Sequence, residues 1–84
     1  MRYQPTSIFI TGASSGIGRA LALKYADENR TLFLCGRNQK RLEAVADLCR
    51  RQKAAVYTFL FDVRNQEETE QAIRQADQIG RAHV

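Results

Sequence analysis

Thr11-Gly12-Ala13-Ser14-Ser15-Gly16-Ile17-Gly18 stands between a short apolar run and a segment of helical period, and its reading decides the fold. The run before it, Ser7-Ile8-Phe9-Ile10-Thr11, is almost continuously apolar and β-branched. The glycines of the turn meet separate needs. One permits a sharp strand-to-helix turn, one lets backbone approach a pyrophosphate, and one lets the helix pack tightly on the sheet. A helix starting near Ile17 aims its unpaired N–H groups and the positive end of its dipole at the same spot. Such a turn is an anion site by construction; the plain alternative is a tight turn with no ligand.

Working outward, two more apolar runs follow, Leu32-Phe33-Leu34-Cys35 and Val56-Tyr57-Thr58-Phe59-Leu60-Phe61. Continuous apolar runs without period-two alternation predict strands covered on both faces, as in a parallel sheet between helices. The intervening segments have helical period: Gly18, Leu21, Ala22 and Tyr25; Leu42, Val45, Ala46 and Cys49; Thr69, Ala72, Ile73 and Ala76. Asn38 and Asn65 are the expected N-caps, Glu68 stands in a capping-box position, and Gly80 is a natural stop. The predicted order is β-α-β-α-β-α, one half of a doubly wound parallel sheet.

Composition narrows the class. A chain of 84 residues makes at most one small domain, and 44% hydrophobic with 26% charged residues excludes a disordered or collagenous chain. The charge of +4 is mild. Its looser clusters, Arg37, Lys40 and Arg41, then Arg50, Arg51 and Lys53, read as solvated helix surface, the second at a helix C-terminus, so no nucleic-acid partner is expected. Cys35 and Cys49 form neither a CxxC pair nor a zinc set and are expected as reduced core thiols of a cytoplasmic protein. No apolar stretch approaches the roughly 18 residues of a membrane span, and no membrane association is expected.

The spacing G-x-x-x-G-x-G is neither G-x-G-x-x-G nor a P-loop. It resembles the short-chain dehydrogenase/reductase family, whose cofactor motif T-G-x-x-x-G-x-G is matched by Thr11, Gly12, Gly16 and Gly18. The resemblance runs over nearly the whole chain and implies a Rossmann-type fold that binds a nicotinamide dinucleotide for hydride transfer to or from a carbonyl or alcohol. The implied cofactor residues are Gly12, Ser14, Ser15, Gly16, Ile17 and Gly18 of the turn, Arg37 and Asn38 after the second strand, and Asp62 and Val63 after the third.

Arg37 bears on which dinucleotide. The second strand ends Leu34-Cys35-Gly36-Arg37-Asn38, without the carboxylate that binds the adenosine ribose hydroxyls. A carboxylate would repel a 2′-phosphate, whereas a guanidinium donates two parallel charge-assisted bonds to it. In the family Gly36 stands where NAD users tend to have Asp, and a following basic residue marks NADP users, so NADP is expected ahead of NAD. Many NADP users also carry a second basic residue where this chain has Ser15. Arg37 read without a ligand simply opens a solvated helix. Asp62 either accepts from the adenine amino group, as the resemblance implies, or caps the turn that follows it.

The resemblance further implies a Tyr-x-x-x-Lys pair with a Ser and an Asn for the chemistry. The tyrosines here, Tyr3, Tyr25 and Tyr57, have no Lys four residues later, so no catalytic residue is assigned. Tyr25 and Tyr57 read as core, and His83 as loop or tail. The chain ends about where a fourth strand is expected, beside the first. The expectation is therefore a truncated cofactor half, with Ile8, Phe9 and Ile10 on an open apolar edge. A small-molecule substrate and a homo-oligomer are expected of the full-length protein. The rival functions are a non-catalytic nucleotide-binding module and a non-functional truncated product.

Overall fold

The computed structural model describes residues 6–62 and 64–80. The predicted alternation is present as β1 (Ser7–Ile10), α1 (Gly16–Tyr25), β2 (Thr31–Gly36), α2 (Gln39–Arg51), β3 (Ala55–Leu60) and α3 (Gln66–Gly80). The strands form one parallel sheet in the order β1-β2-β3. Ile10 aligns with Leu34 and Gly36 with Leu60, so the three carboxyl ends lie together.

Alternation along the strands sends successive side chains to opposite faces, and each face has its own core. On one face Ile10, Leu32 and Leu34 pack with Ala22 of α1 and with Leu42, Val45, Ala46 and Cys49 of α2. On the other, Phe9, Phe33, Cys35 and Phe61 meet Ala72 and Ala76 of α3. The sheet is thus wound on both sides. Asn38 caps α2 by accepting from Arg41 N at 3.0 Å, and Asn65 caps α3 by accepting from Glu68 N at 3.1 Å. Asn65 Nδ2 also donates to Glu68 Oε1 at 3.4 Å, a side-chain variant of the expected box.

Three expectations need correction. Phe9 and Ile10 are buried although β1 is the outer strand, because their side chains point to the covered faces. The open edge of β1 is backbone. β3 is covered less than its apolar run suggests, with Tyr57 43% and Leu60 54% exposed. One of its faces meets α2, whereas α3 sits over β1, leaving Tyr57 stacked on Phe33 at 5.4 Å but open outward. Finally, the contact faces of α1 and α3 are narrower than their periodicity implies. Leu21 and Ile73 are exposed, while Ala22, Ala72 and Ala76 make the contact. Small residues let those helices lie close to the sheet, and the larger neighbours are pushed to the flank. Tyr3, Val63 and His83 lie outside the described residues.

Candidate functional site

The glycine turn leaves β1 and is hooked to its neighbour: Ala13 N donates to Cys35 O at 2.9 Å. The start of the next crossover is hooked in the same way, with Phe61 N donating to Gly36 O at 3.0 Å. These bonds draw the segments after β1, β2 and β3 around one opening, the position at which open α/β sheets bind ligands.

Within the turn the glycines divide their roles as their geometry requires. Gly12 and Gly16 have φ of +63° and +60°, the left-handed region that costs other L-residues about 1–2 kcal/mol. A Cβ on either would meet nothing within 4 Å, so the turn presents bare backbone to open space. Gly18 is different. A Cβ there would collide with the carbonyl of Gly12 and come within 2.8 Å of Thr11 O. It is the glycine that seats α1 against the turn. Ser15 stands at the N-cap of α1 without a side-chain capping bond, and the first turn of α1 has no acidic residue. The N–H groups there remain available to an anion, unlike those capped by Asn38 and Asn65.

A cavity of about 670 Å³ opens at this end of the sheet, lined by Gly12, Ser14, Ser15, Gly36, Arg37, Asn38, Arg41, Phe61, Asp62 and Arg64. Six expected residues, Gly12, Ser14, Ser15, Arg37, Asn38 and Asp62, are therefore brought together. Gly16 lines an adjoining groove of about 340 Å³, Ile17 is 80% exposed, and Gly18 lies beneath the turn. Val63 lies outside the described residues.

Asp62 does what the turn alternative expects. Its carboxylate accepts from Arg64 N at 2.9 Å and takes the Arg64 guanidinium at 2.7 Å from Nη2 and 3.0 Å from Nε. Arg37 Nη1 lies 3.7 Å from the same carboxylate. The side-chain and backbone bonds from Arg64, with smaller help from the charge of Arg37, hold the Asp62 pKa down at about 2. The carboxylate is ionised at neutral pH and can only accept.

Arg41 and Arg64 were not among the expected site residues. Arg41 carried a signal, since it stands with Arg37 and Lys40 in the basic cluster where α2 begins. Arg64 carried none, because its part depends on the turn that folds it back onto Asp62. Cys35 and Cys49 are free and buried, as expected. Burial pushes the Cys35 thiol up to about 12 and also raises that of Cys49, so neither is a nucleophile. Among the described residues no group of three or more His, Cys, Asp or Glu could hold a metal ion, and no helix is long and apolar enough to cross a membrane.

The residues fit a dinucleotide: a cradle that a Cβ would fill, uncapped amides at a helix start, and cations beside it where a carboxylate would exclude a 2′-phosphate. The family model described as short chain dehydrogenase matches residues 6–84. Sulfoacetaldehyde reductase 2 of Chromohalobacter salexigens is 39% identical over 66 residues, covering 79% of this chain and 26% of that protein. A short-chain type dehydrogenase/reductase from Mycobacterium ulcerans shares the fold, with a TM-score of 0.84 at 24% identity over 99% of this chain and 32% of its own. YwfH, an NADPH dependent reductase involved in bacilysin biosynthesis, superposes with a TM-score of 0.78 at 29% identity over 90% of this chain and 31% of its own. The chain thus spans about a quarter to a third of the length of these relatives. It belongs to the short-chain dehydrogenase family.

Proposed function

We propose that this chain is the adenosine-binding half of an NADP(H)-dependent oxidoreductase that acts on a small carbonyl or alcohol. The observation that carries the reading is the cavity itself: Arg37 and Asn38 follow a strand that ends in Gly36, opposite the bare turn at Gly12. The likeness to an NADPH dependent reductase supports it.

Each part of the chain has a task. Gly12, Gly16 and the first amides of α1 accept the pyrophosphate, and the backbone N–H groups donate to it without reorganising. Arg37 and Asn38 take the 2′-phosphate side of the adenosine ribose, with Ser14 and Ser15 beside them. Asp62 and Val63 border the adenine, Asp62 holding its turn through Arg64. The bound nicotinamide supplies the hydride chemistry, and the protein supplies binding and orientation. The reading assigns no catalytic residue to this chain and extends to a cytoplasmic homo-oligomer with a small-molecule substrate.

Calorimetric titration with NADP and NAD tests it. NADP binding about 10- to 100-fold tighter is expected, the worth of one charge-assisted hydrogen bond. Equal affinities would overturn the NADP reading.

A further inference from the structure

We propose that Arg50 guards the outer edge of β3, and that the partner it holds off is a second copy of this chain. Without the guard, two β3 strands would pair edge to edge about a two-fold axis.

β3 is a strand composed to pair. Ala55-Val56-Tyr57-Thr58-Phe59-Leu60 is uncharged, free of Pro and Gly, and rich in β-branched and aromatic residues, the composition from which strands stack between chains. Among the described residues only β2 pairs with it, so its other edge is open. The hydrogen bonds to β2 show which backbone groups lie on that edge. Ala55 N donates to Arg30 O at 3.1 Å and Phe61 N to Gly36 O at 3.0 Å. Odd-numbered residues therefore face β2, and Val56, Thr58 and Leu60 hold their N–H and C=O groups outward. These outward groups are self-complementary. In an antiparallel pair centred on Thr58, each Val56 would face Leu60 of the other copy and exchange both backbone bonds with it. Pairing would also cover Tyr57 and Leu60, which are large and exposed.

α2 closes that edge with a side chain. Arg50 Nη2 donates to Val56 O at 3.3 Å and so takes the acceptor that Leu60 N of a second copy would need. The two-fold axis makes the loss count twice. The guanidinium is steadied by two carboxylates of its own helix, with Nη1 3.3 Å from Asp47 Oδ1 and 3.8 Å from Glu43 Oε2. Glu43 is itself tied to the strand, since Thr58 Oγ1 donates to its Oε1 at 3.2 Å. A charge laid along an edge is one means by which natural sheets avoid joining. Ion pairs as exposed as these add little to stability, so the effect of Arg50 belongs to association and not to folding.

The test is sedimentation velocity over a concentration series, with amide exchange read residue by residue. Arg50→Ala should self-associate about ten-fold or more tightly than the parent chain, for two freed backbone bonds. As its concentration rises, exchange should slow at the amides of Val56, Thr58 and Leu60, while those of β1 behave as in the parent. Arg51→Ala is the charge control: it removes the same charge from the neighbouring position and should associate as the parent does. Adding Thr58→Pro to Arg50→Ala removes an outward N–H that β2 does not use, and should return association to the parental level. Four results overturn the proposal: Arg50→Ala associating no more tightly than the parent, Arg51→Ala gaining as much, slowed exchange at β1 in place of β3, or association that survives Thr58→Pro.

Discussion

Gly36 and Ser14 are packed so closely that a Cβ on Gly36 would lie 3.1 Å from Ser14 Oγ and 3.2 Å from Ser14 Cβ. The end of β2 and the glycine turn therefore constrain each other. Gly36 is the position at which a carboxylate would turn the site against a 2′-phosphate, and Ser14 resists any side chain there. Gly36→Asp should cost about 1–3 kcal/mol through overpacking against Ser14 and Leu42. Ser14→Gly should recover part of that cost. Urea melts of both single variants and the double variant check this, and additive effects would contradict the close contact.

The two kinds of glycine in the turn should fail differently. Gly18→Ala places a methyl group against the Gly12 carbonyl and should lower stability by about 1–3 kcal/mol or more. Gly16→Val faces open space, so its stability cost is the left-handed φ, and its main effect should be loss of dinucleotide binding. Parallel thermal melts and titrations check this. Full binding by Gly16→Val would contradict the phosphate-cradle role.

Asp62 should make stability depend on acid. Its pKa near 2 lies below the roughly 3.9 of an unfolded aspartate, so the native state favours the ionised form. That contribution is complete above about pH 4–5 and is lost as the pH falls towards 2. Asp62→Asn keeps the acceptor for Arg64 N but not the charge. The parent should be the more stable at pH 7, and the gap should close below about pH 4. Urea melts across this range measure it, and a gap that ignores pH would contradict the Arg64 clamp.

Cys35 and Cys49 should resist alkylation in the native chain. Both are buried, and the thiol of Cys35 is pushed up to about 12. Iodoacetamide at pH 8 should label neither until urea unfolds the protein, as mass spectrometry would show. Prompt native labelling would contradict the packing on the two faces of the sheet.

What was legible in the sequence depended on how local its cause was. The caps at Asn38 and Asn65, the buried stripe Leu42, Val45, Ala46 and Cys49, and the left-handed glycines follow from short-range rules. The exposure of Tyr57 and Leu60 was not legible, because an apolar run does not say which helix will cover which strand. Leu21 and Ile73 were misplaced for a related reason: closeness of approach, set by Gly18 and the alanines, decides which part of an apolar stripe makes contact. At the site, Arg37 and the turn could be read from spacing. Arg64 could not, since its grip on Asp62 exists only once the chain after β3 has turned.

The central claim is that Arg37 and its surroundings select a 2′-phosphate, and a charge reversal tests it most directly. NADP and NAD are titrated calorimetrically into the parent chain and into Arg37→Asp. The account predicts about 10- to 100-fold tighter NADP binding by the parent and a preference for NAD in the variant, where repulsion replaces attraction. Equal affinities in the parent, or a preference for NADP that survives Arg37→Asp, would contradict it.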